Sequence, residues 1–205
     1  IDILIHLAGQ LGEYGVAYSE YYSTNSKLTN DLAIIAAGSG VKQFIFCSTP
    51  GVLGFGKRLA LETEPYNPRN NYEKTKMIAE QLLQNICNKY PQMKYTILRP
   101  DFVYGPGDTR RVKMYNAIKN RKFILTTSGD SYLHPTYIND VVQGFICCIG
   151  NKNAYNQIFN IAAENDITSK QYLDIIAKYT GTRLIQINIG KRLSHFFAGL
   201  IDYLY

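Results

Sequence analysis

Long apolar runs are missing from this sequence. No stretch reaches the roughly 18 consecutive apolar residues of a membrane-spanning helix, and no secretory signal pattern opens the chain. Cysteine is sparse. Cys47, Cys87, Cys147 and Cys148 are the only four in 205 residues, and no two form a Cys-x-x-Cys pair. That fits buried thiols in a reducing compartment better than a disulfide framework or a zinc site, so a cytoplasmic protein is expected. Internal repeats and low-complexity linkers are absent as well. No stacking aromatics are interleaved with the basic residues in a nucleic-acid-binding motif, so no nucleic-acid partner is expected.

What is present suffices for a core: 46% of the residues are apolar and 19% charged. The net charge is +6, and part of the excess falls in one stretch, Arg110, Arg111, Lys113, Lys119, Arg121 and Lys122. Such a stretch serves either as a solvated helix face or as a seat for a phosphorylated ligand, to which guanidinium groups are well matched. The chain opens inside an apolar run, "IDILIHLAG", and stops inside the helical-looking "RLSHFFAGLIDYLY". It is therefore expected to be part of a longer protein. Phe196, Phe197, Leu200 and Ile201 would then pack on a further segment or face a membrane.

Short apolar runs alternate with helical patterns. "ILIHLAG" (3–9), "QFIFCST" (43–49) and "YTILRP" (95–100) read as parallel strands covered on both faces. Between the first two, a helix is predicted over about 16–38, with Tyr18, Tyr21, Asn25, Leu28, Leu32 and Ile35 spaced 3,4,3,4,3 along one face. A second helix begins near Tyr72 and turns Ala79, Leu82, Leu83 and Ile86 inward. This order predicts right-handed crossovers and a doubly wound sheet, with ligands outside the carboxyl ends of the strands. After about residue 107 the pattern loosens. A basic helix (110–120), an apolar helix (140–149) holding Cys147 and Cys148 in the core, a strand in "QIFNIAAE" and a helix "SKQYLDIIAKYTG" capped by Thr168 or Ser169 suggest a smaller α/β lobe. The expected division is 1–107 and 108–205, with the strand and helix near 134–149 free to pack back on the main sheet.

One crossover unit gathers chemistry at one end of the sheet. Ser48 and Thr49 end the second strand, and Tyr72 and Lys76 open the next helix at the spacing that stacks two side chains on one face. A free tyrosine titrates near pH 10, and an ammonium within about 4–6 Å favours its phenolate. Such a phenol can exchange a proton with a substrate hydroxyl or carbonyl, while a neighbouring Ser or Thr hydroxyl holds the same oxygen.

With "IHLAG", "YYSTNSKLTNDL", "FIFCSTPGVLG", the Tyr72-Glu-Lys-Thr-Lys76 pair, "LRPDFVYGPGD" and "LHPTYIND" in that order, the chain resembles the extended short-chain dehydrogenase/reductase family, also called the NAD-dependent epimerase/dehydratase family. The resemblance implies the second half of a Rossmann-like doubly wound sheet with a small substrate-binding lobe. It implies Tyr72 as catalytic acid/base, Lys76 on the nicotinamide ribose, Thr49 as the catalytic hydroxyl with Ser48 beside it, and Asn25 as a residue holding the active-site helix. Ala8, Gly9 and Pro100 would line NAD or NADP. Family relatives often pair through the two helices placed at 16–38 and 72–89, so a homodimer is expected.

Departures from the family pattern bear on the substrate, a small molecule. The dehydratases' Asp-Glu after the catalytic Thr is Pro50-Gly51 here, which argues against elimination. Phe102 stands where many sugar-nucleotide epimerases have Asn, and Leu133-His134 where they have Arg-Asp. His134 is either a substrate contact or structural; His6 is expected to be a packed core histidine. The glycine-rich loop that seats a pyrophosphate is not found, since "GQLGEYG" (9–15) follows the family's fourth strand. Three functions are weighed: an epimerase or oxidoreductase of a nucleotide-linked sugar, with Arg110 in its diphosphate seat; a reductase of a sterol-like or flavonoid-like substrate; and a non-catalytic cofactor sensor.

Overall fold

Phe44, Ile45 and Phe46 have no exposed surface at all, as a strand must when helices cover both faces of a parallel sheet. In the computed structural model, which describes residues 1–13, 15–54 and 60–187, they sit in β2 (Gln43–Cys47). Its neighbours are β1 (Ile3–His6) and β3 (Lys94–Pro100). A fourth strand, β4 (Gln157–Ile161), completes the all-parallel order β1-β2-β3-β4. The doubly wound architecture expected from the sequence is the one observed.

Side-chain alternation along β2 splits the core in two. Phe44 and Phe46 join Ala33, Ala36, Ala79, Leu83 and Ile97 beneath the helices α2 (Leu28–Gly38) and α3 (Asn71–Lys89). Ile45 joins Leu98, Val141 and Phe145 beneath α4 (Ile138–Cys148) on the other side. Gln43 is buried on that side too. Its amide donates to Thr96 Oγ1 (3.0 Å) and Cys148 O (2.8 Å) and accepts from Gly150 N (2.9 Å), fixing the end of α4 to the sheet. Cys148 is buried as expected, but Cys147 is exposed, because α4 is apolar around more of its circumference than the sheet covers.

The predicted stripe on the first helix fails after Asn25. A four-residue helix, α1 (Tyr18–Tyr21), leads into a π-turn over Tyr22–Lys27, and only then into α2. A π-turn inserts one extra residue, which rotates the following face by about 100°. Burial therefore passes from Tyr21 and Asn25 to Ser26, Thr29, Ala33, Ala36 and Ala37, while Leu28 and Ile35 are exposed and Leu32 is half-buried.

The chain divides into two units, Ile1–Val103 with Thr136–Ala162, and Tyr104–Pro135 with Ala163–Tyr205. Within the second, the helix Thr109–Lys119 and the helix Ser169–Tyr179 bury Ile118, Leu173 and Ala177, and the Tyr115 and Tyr172 hydroxyls lie 3.0 Å apart. Thr168, not Ser169, is the N-cap, closing a reciprocal capping box with Gln171. Among the described residues no helix is long and apolar enough to cross a membrane. The helical-looking end of the sequence, with Phe196, Phe197, Leu200 and Ile201, lies outside the described residues.

Candidate active site

Three segments leave the carboxyl ends of β1, β2 and β3 on the same side of the sheet, and Asn25 joins the first of them to α3. Its carboxamide is fully buried, on the π-turn. Oδ1 accepts from Gln10 N (2.8 Å); Nδ2 donates to Gln10 O (3.1 Å) and to Thr75 Oγ1 (3.2 Å). Thr75 in turn donates to the Tyr72 carbonyl (2.9 Å), and Ser26 Oγ donates to the Thr75 carbonyl (2.8 Å). One side chain thus fixes the loop after β1 against the first turn of α3.

Lys76 is buried beside it. Its Nζ donates to Cys47 O (2.9 Å) and stands 4.7 Å from the centroid of the Phe46 ring. Burial pushes the ammonium below its ordinary lysine value, opposed by Cys47 and Glu80. An ammonium has three donors, and the described bond uses one. Gly9 separates the amide from the ammonium: a Cβ there would lie 2.9 Å from Asn25 Oδ1 and 3.1 Å from Lys76 Nζ. Because Asn25 Oδ1 is already fixed on Gln10 N, it has little room to retreat. Gly9→Ala is expected to cost about 1–3 kcal/mol of stability, the range for overpacking a filled site, read as a lower urea midpoint at unchanged slope.

Tyr72 occupies the first turn of α3, where Asn70 caps the helix by accepting from Glu73 N (2.9 Å). Its half-buried ring packs against Gly12, where a methyl would sit 3.6 Å away, and lies 6.4 Å from the Tyr21 ring. Thr49 and Ser48 part company. Thr49 is half-buried and its Oγ1 accepts from Gly51 N (3.3 Å), capping the turn Pro50–Leu53. Ser48 is buried, and its Oγ has no hydrogen-bond partner among the described residues. Beneath this turn Glu73 is almost fully buried, its Oε2 accepting from Arg69 N (2.7 Å). A Cβ at Gly51 would come within 2.8–3.0 Å of three Glu73 side-chain atoms, so the glycine leaves space for the carboxylate.

Of the other residues singled out in the sequence, Ala8 is exposed one position before Gly9. Pro100 ends β3 in register with Ile161. Phe102 is half-buried at φ 29°, a left-handed backbone unusual for an aromatic residue, and its carbonyl accepts from Thr136 N (3.2 Å). Arg110 and His134 belong to the second unit, where Arg110 is exposed on the helix Thr109–Lys119 and His134 is half-buried. His6 is a packed core histidine, as expected. Sequence reasoning passed over Thr29, Thr75, Gly12 and Glu73. The spacing of Asn25 and Thr29, and of Tyr72 and Thr75, is a usable signal, because a helical threonine commonly returns its hydroxyl to a carbonyl three or four residues back.

The model of the NAD dependent epimerase/dehydratase family matches residues 1–162. An N-acetyl-alpha-D-glucosaminyl-diphospho-ditrans,octacis-undecaprenol 4-epimerase of Escherichia coli O157:H7 is 29% identical over 174 residues, covering 83% of this chain and 52% of that protein. A 3beta-hydroxysteroid dehydrogenase/Delta(5)-Delta(4) isomerase 1 of Caenorhabditis elegans is 34% identical over 116 residues, 54% of this chain and 25% of that one. The UDP-glucuronic acid 4-epimerase of Bacillus cereus, solved with NAD, superposes with a TM-score of 0.83 at 23% identity, covering 92% of this chain and 62% of that chain. This chain spans about half the length of the E. coli relative, 52%.

Proposed function

The chain belongs to the NAD dependent epimerase/dehydratase family, and from that premise we propose that it carries the acid–base half of an NAD(P)-dependent epimerase or oxidoreductase acting on a nucleotide-linked sugar. The observation that supports this most directly is the cluster at Gly9. A buried ammonium with donors to spare and a carboxamide fixed on Gln10 meet where the chain has no Cβ, which fits the hydroxyl-rich nicotinamide end of a dinucleotide. Lys76 and the Gly9–Gln10 backbone would hold that end, with Ala8 and Pro100 alongside. The nicotinamide, when bound, supplies hydride exchange with the substrate carbon.

The chain's own residues then manage the proton. Tyr72 takes it from the substrate hydroxyl or returns it to the carbonyl, Thr49 donates its hydroxyl to the same oxygen, and the Lys76 charge favours the phenolate form of Tyr72. Asn25 keeps the first turn of α3 and the loop after β1 in fixed relation, so the phenol does not need to search for its position. A cofactor sensor needs none of this proton chemistry. The second unit is assigned substrate binding, through Arg110 and His134, with Phe102 just ahead of it in sequence. Arg110, Lys113, Lys119, Arg121 and Lys122 are exposed and suit a diphosphate, whereas Arg111 is half-buried against Asp108; the E. coli relative is a 4-epimerase of a diphospho-linked sugar. We also assign a homodimer through the two helical segments 18–38 and 71–89; Tyr18, Tyr22, Leu28 and Ile35 are exposed on the first of them.

A second reading, reduction of a sterol-like or flavonoid-like substrate, is favoured by Phe102 and by Leu133-His134 at positions where sugar-nucleotide enzymes carry polar groups, and by the hydroxysteroid dehydrogenase relative. The protein is to be purified, denatured, and its released nicotinamide read by absorbance and mass. Retained NAD is the result expected of an epimerase, which must keep its cofactor through a transient keto intermediate of the substrate. An empty protein that oxidises added NADPH with a carbonyl substrate identifies the reductase. A protein that neither retains nor binds a nicotinamide nucleotide sinks both.

A further inference from the structure

His6 and Thr29 are buried on the same face as Lys76, yet neither belongs to the proton chemistry described above. Thr29 Oγ1 lies 2.7 Å from the Asn25 carbonyl, four residues earlier, and donates to it. A hydroxyl has one proton, so Oγ1 is an acceptor toward His6 Nε2, 3.0 Å away. His6 therefore carries its proton on Nε2. The imidazole is held in that orientation by Phe46, stacked at 5.5 Å, and by the edge contact with Phe44 at 6.0 Å. Burial, and secondarily the Lys76 charge, lower the pKa of His6 to about 4, so at pH 7 the ring is neutral and Nε2–H is its single donor.

The hydroxyl lands on the carbonyl of the very residue whose carboxamide holds Gln10 and Thr75. The π-turn is the less favourable winding, and the residues a straight helix would have buried, Leu28 and Ile35, are apolar. Something must select the wider turn, in which Leu28 N–H reaches back to the Ser23 carbonyl. The bonds run without a gap from His6 to Thr29, to the Asn25 carbonyl, and from the Asn25 side chain to Thr75 and the Tyr72 carbonyl.

We propose that His6 and Thr29 are positioning residues for the site, fixing the register of the π-turn and through it the place of the Asn25 carboxamide between the Gly9–Gln10 loop and the first turn of α3. This rests on reading the Asn25–Tyr72–Lys76 cluster as the active site.

The test compares Thr29→Val, which keeps the shape and removes both bonds, with Thr29→Ser, which keeps the hydroxyl. His6→Gln, whose amide can still donate from a similar position, is compared in the same way with His6→Leu. Turnover against pH, cofactor KM, urea unfolding and hydrogen exchange of the Asn25 carboxamide protons by NMR are measured on each. Thr29→Val and His6→Leu are expected to lower kcat by about 10-fold or more, as misplacement of a reacting group does. The apparent acid limb of the pH profile should move, cofactor KM should change less than kcat, and the Asn25 protons should exchange faster. Thr29→Ser and His6→Gln are expected to restore all three.

A folded Thr29→Val protein with wild-type kcat, pH profile and Asn25 exchange overturns the proposal. So does a loss confined to unfolding stability, or one that serine does not repair. Tyr72→Phe is run in parallel. If it leaves turnover intact, the reading of the site has failed, and the positioning claim is judged on Asn25 exchange alone. Faster exchange in Thr29→Val with recovery in Thr29→Ser upholds it, and unchanged exchange rejects it.

Discussion

Replacing Tyr72 by phenylalanine is expected to lower turnover by about two to four orders of magnitude, the share usually carried by a positioned acid/base, while nicotinamide binding stays close to wild type. The reasoning is geometric. The ring packs against Gly12 and near Tyr21, contacts that phenylalanine reproduces, and Asn70 caps the helix without help from position 72. Lys76 donates to Cys47 O and lies over the Phe46 ring, so the ammonium keeps its place when the phenol is gone. Only the O–H is removed. Steady-state kinetics on the natural substrate, with cofactor affinity measured alongside, separates the two effects. An unchanged kcat would show that the proton travels another way.

The second large effect lies about two turns further along α3. Arg99 and Glu80 are buried to 1% and 0% side-chain exposure and joined by two bonds, Nε to Oε1 at 2.9 Å and Nη2 to Oε2 at 2.6 Å. Tyr66 adds its hydroxyl to Glu80 Oε2 (2.8 Å), and its ring lies 5.6 Å from the guanidinium carbon. Burial, reinforced by Glu80, pushes that phenol up to about 12, so it donates throughout the physiological range. Glu80→Gln leaves the guanidinium buried against a neutral amide and is expected to cost about 3–5 kcal/mol, as loss of one partner from a buried pair does. The double replacement Glu80→Leu with Arg99→Met is expected to recover a large part of that loss, since a well-packed apolar pair avoids the desolvation cost. Urea unfolding of Glu80→Leu, Arg99→Met and the double variant gives the coupling directly. Near-additive losses would mean that the pair contributes only as packing.

The sheet was legible because apolar runs this continuous have few alternatives: "QFIFC" between two helical patterns can hardly be other than a covered parallel strand, and it is. Tyr72 and Lys76 stood out by their spacing, Thr49 by ending a strand and Asn25 by its place in a family motif, and the structure brings Asn25 and Lys76 together at Gly9. The first helix was not, because a period read from sequence assumes a constant winding. The π-turn breaks that assumption at Tyr22–Lys27, and every apolar position after it slips by one. The polar contacts beneath the site were hidden for a different reason. Thr75 and Glu73 sit among charged neighbours in "NYEKTK" and look like surface residues; what buries them is the turn Pro50–Leu53 and the π-turn of the preceding helix, both distant in sequence.

The pairing of Gly51 with Glu73 constrains how a site of this kind could drift over generations. Any side chain at position 51 collides first with a carboxylate that is itself tied to the Arg69 backbone. Position 73 must therefore shrink or swing away before position 51 can grow, and the reverse order passes through a damaged intermediate. Of the two orders, only the one that begins at position 73 avoids that collision. A larger or charged group at the strand end therefore has to follow a change at position 73.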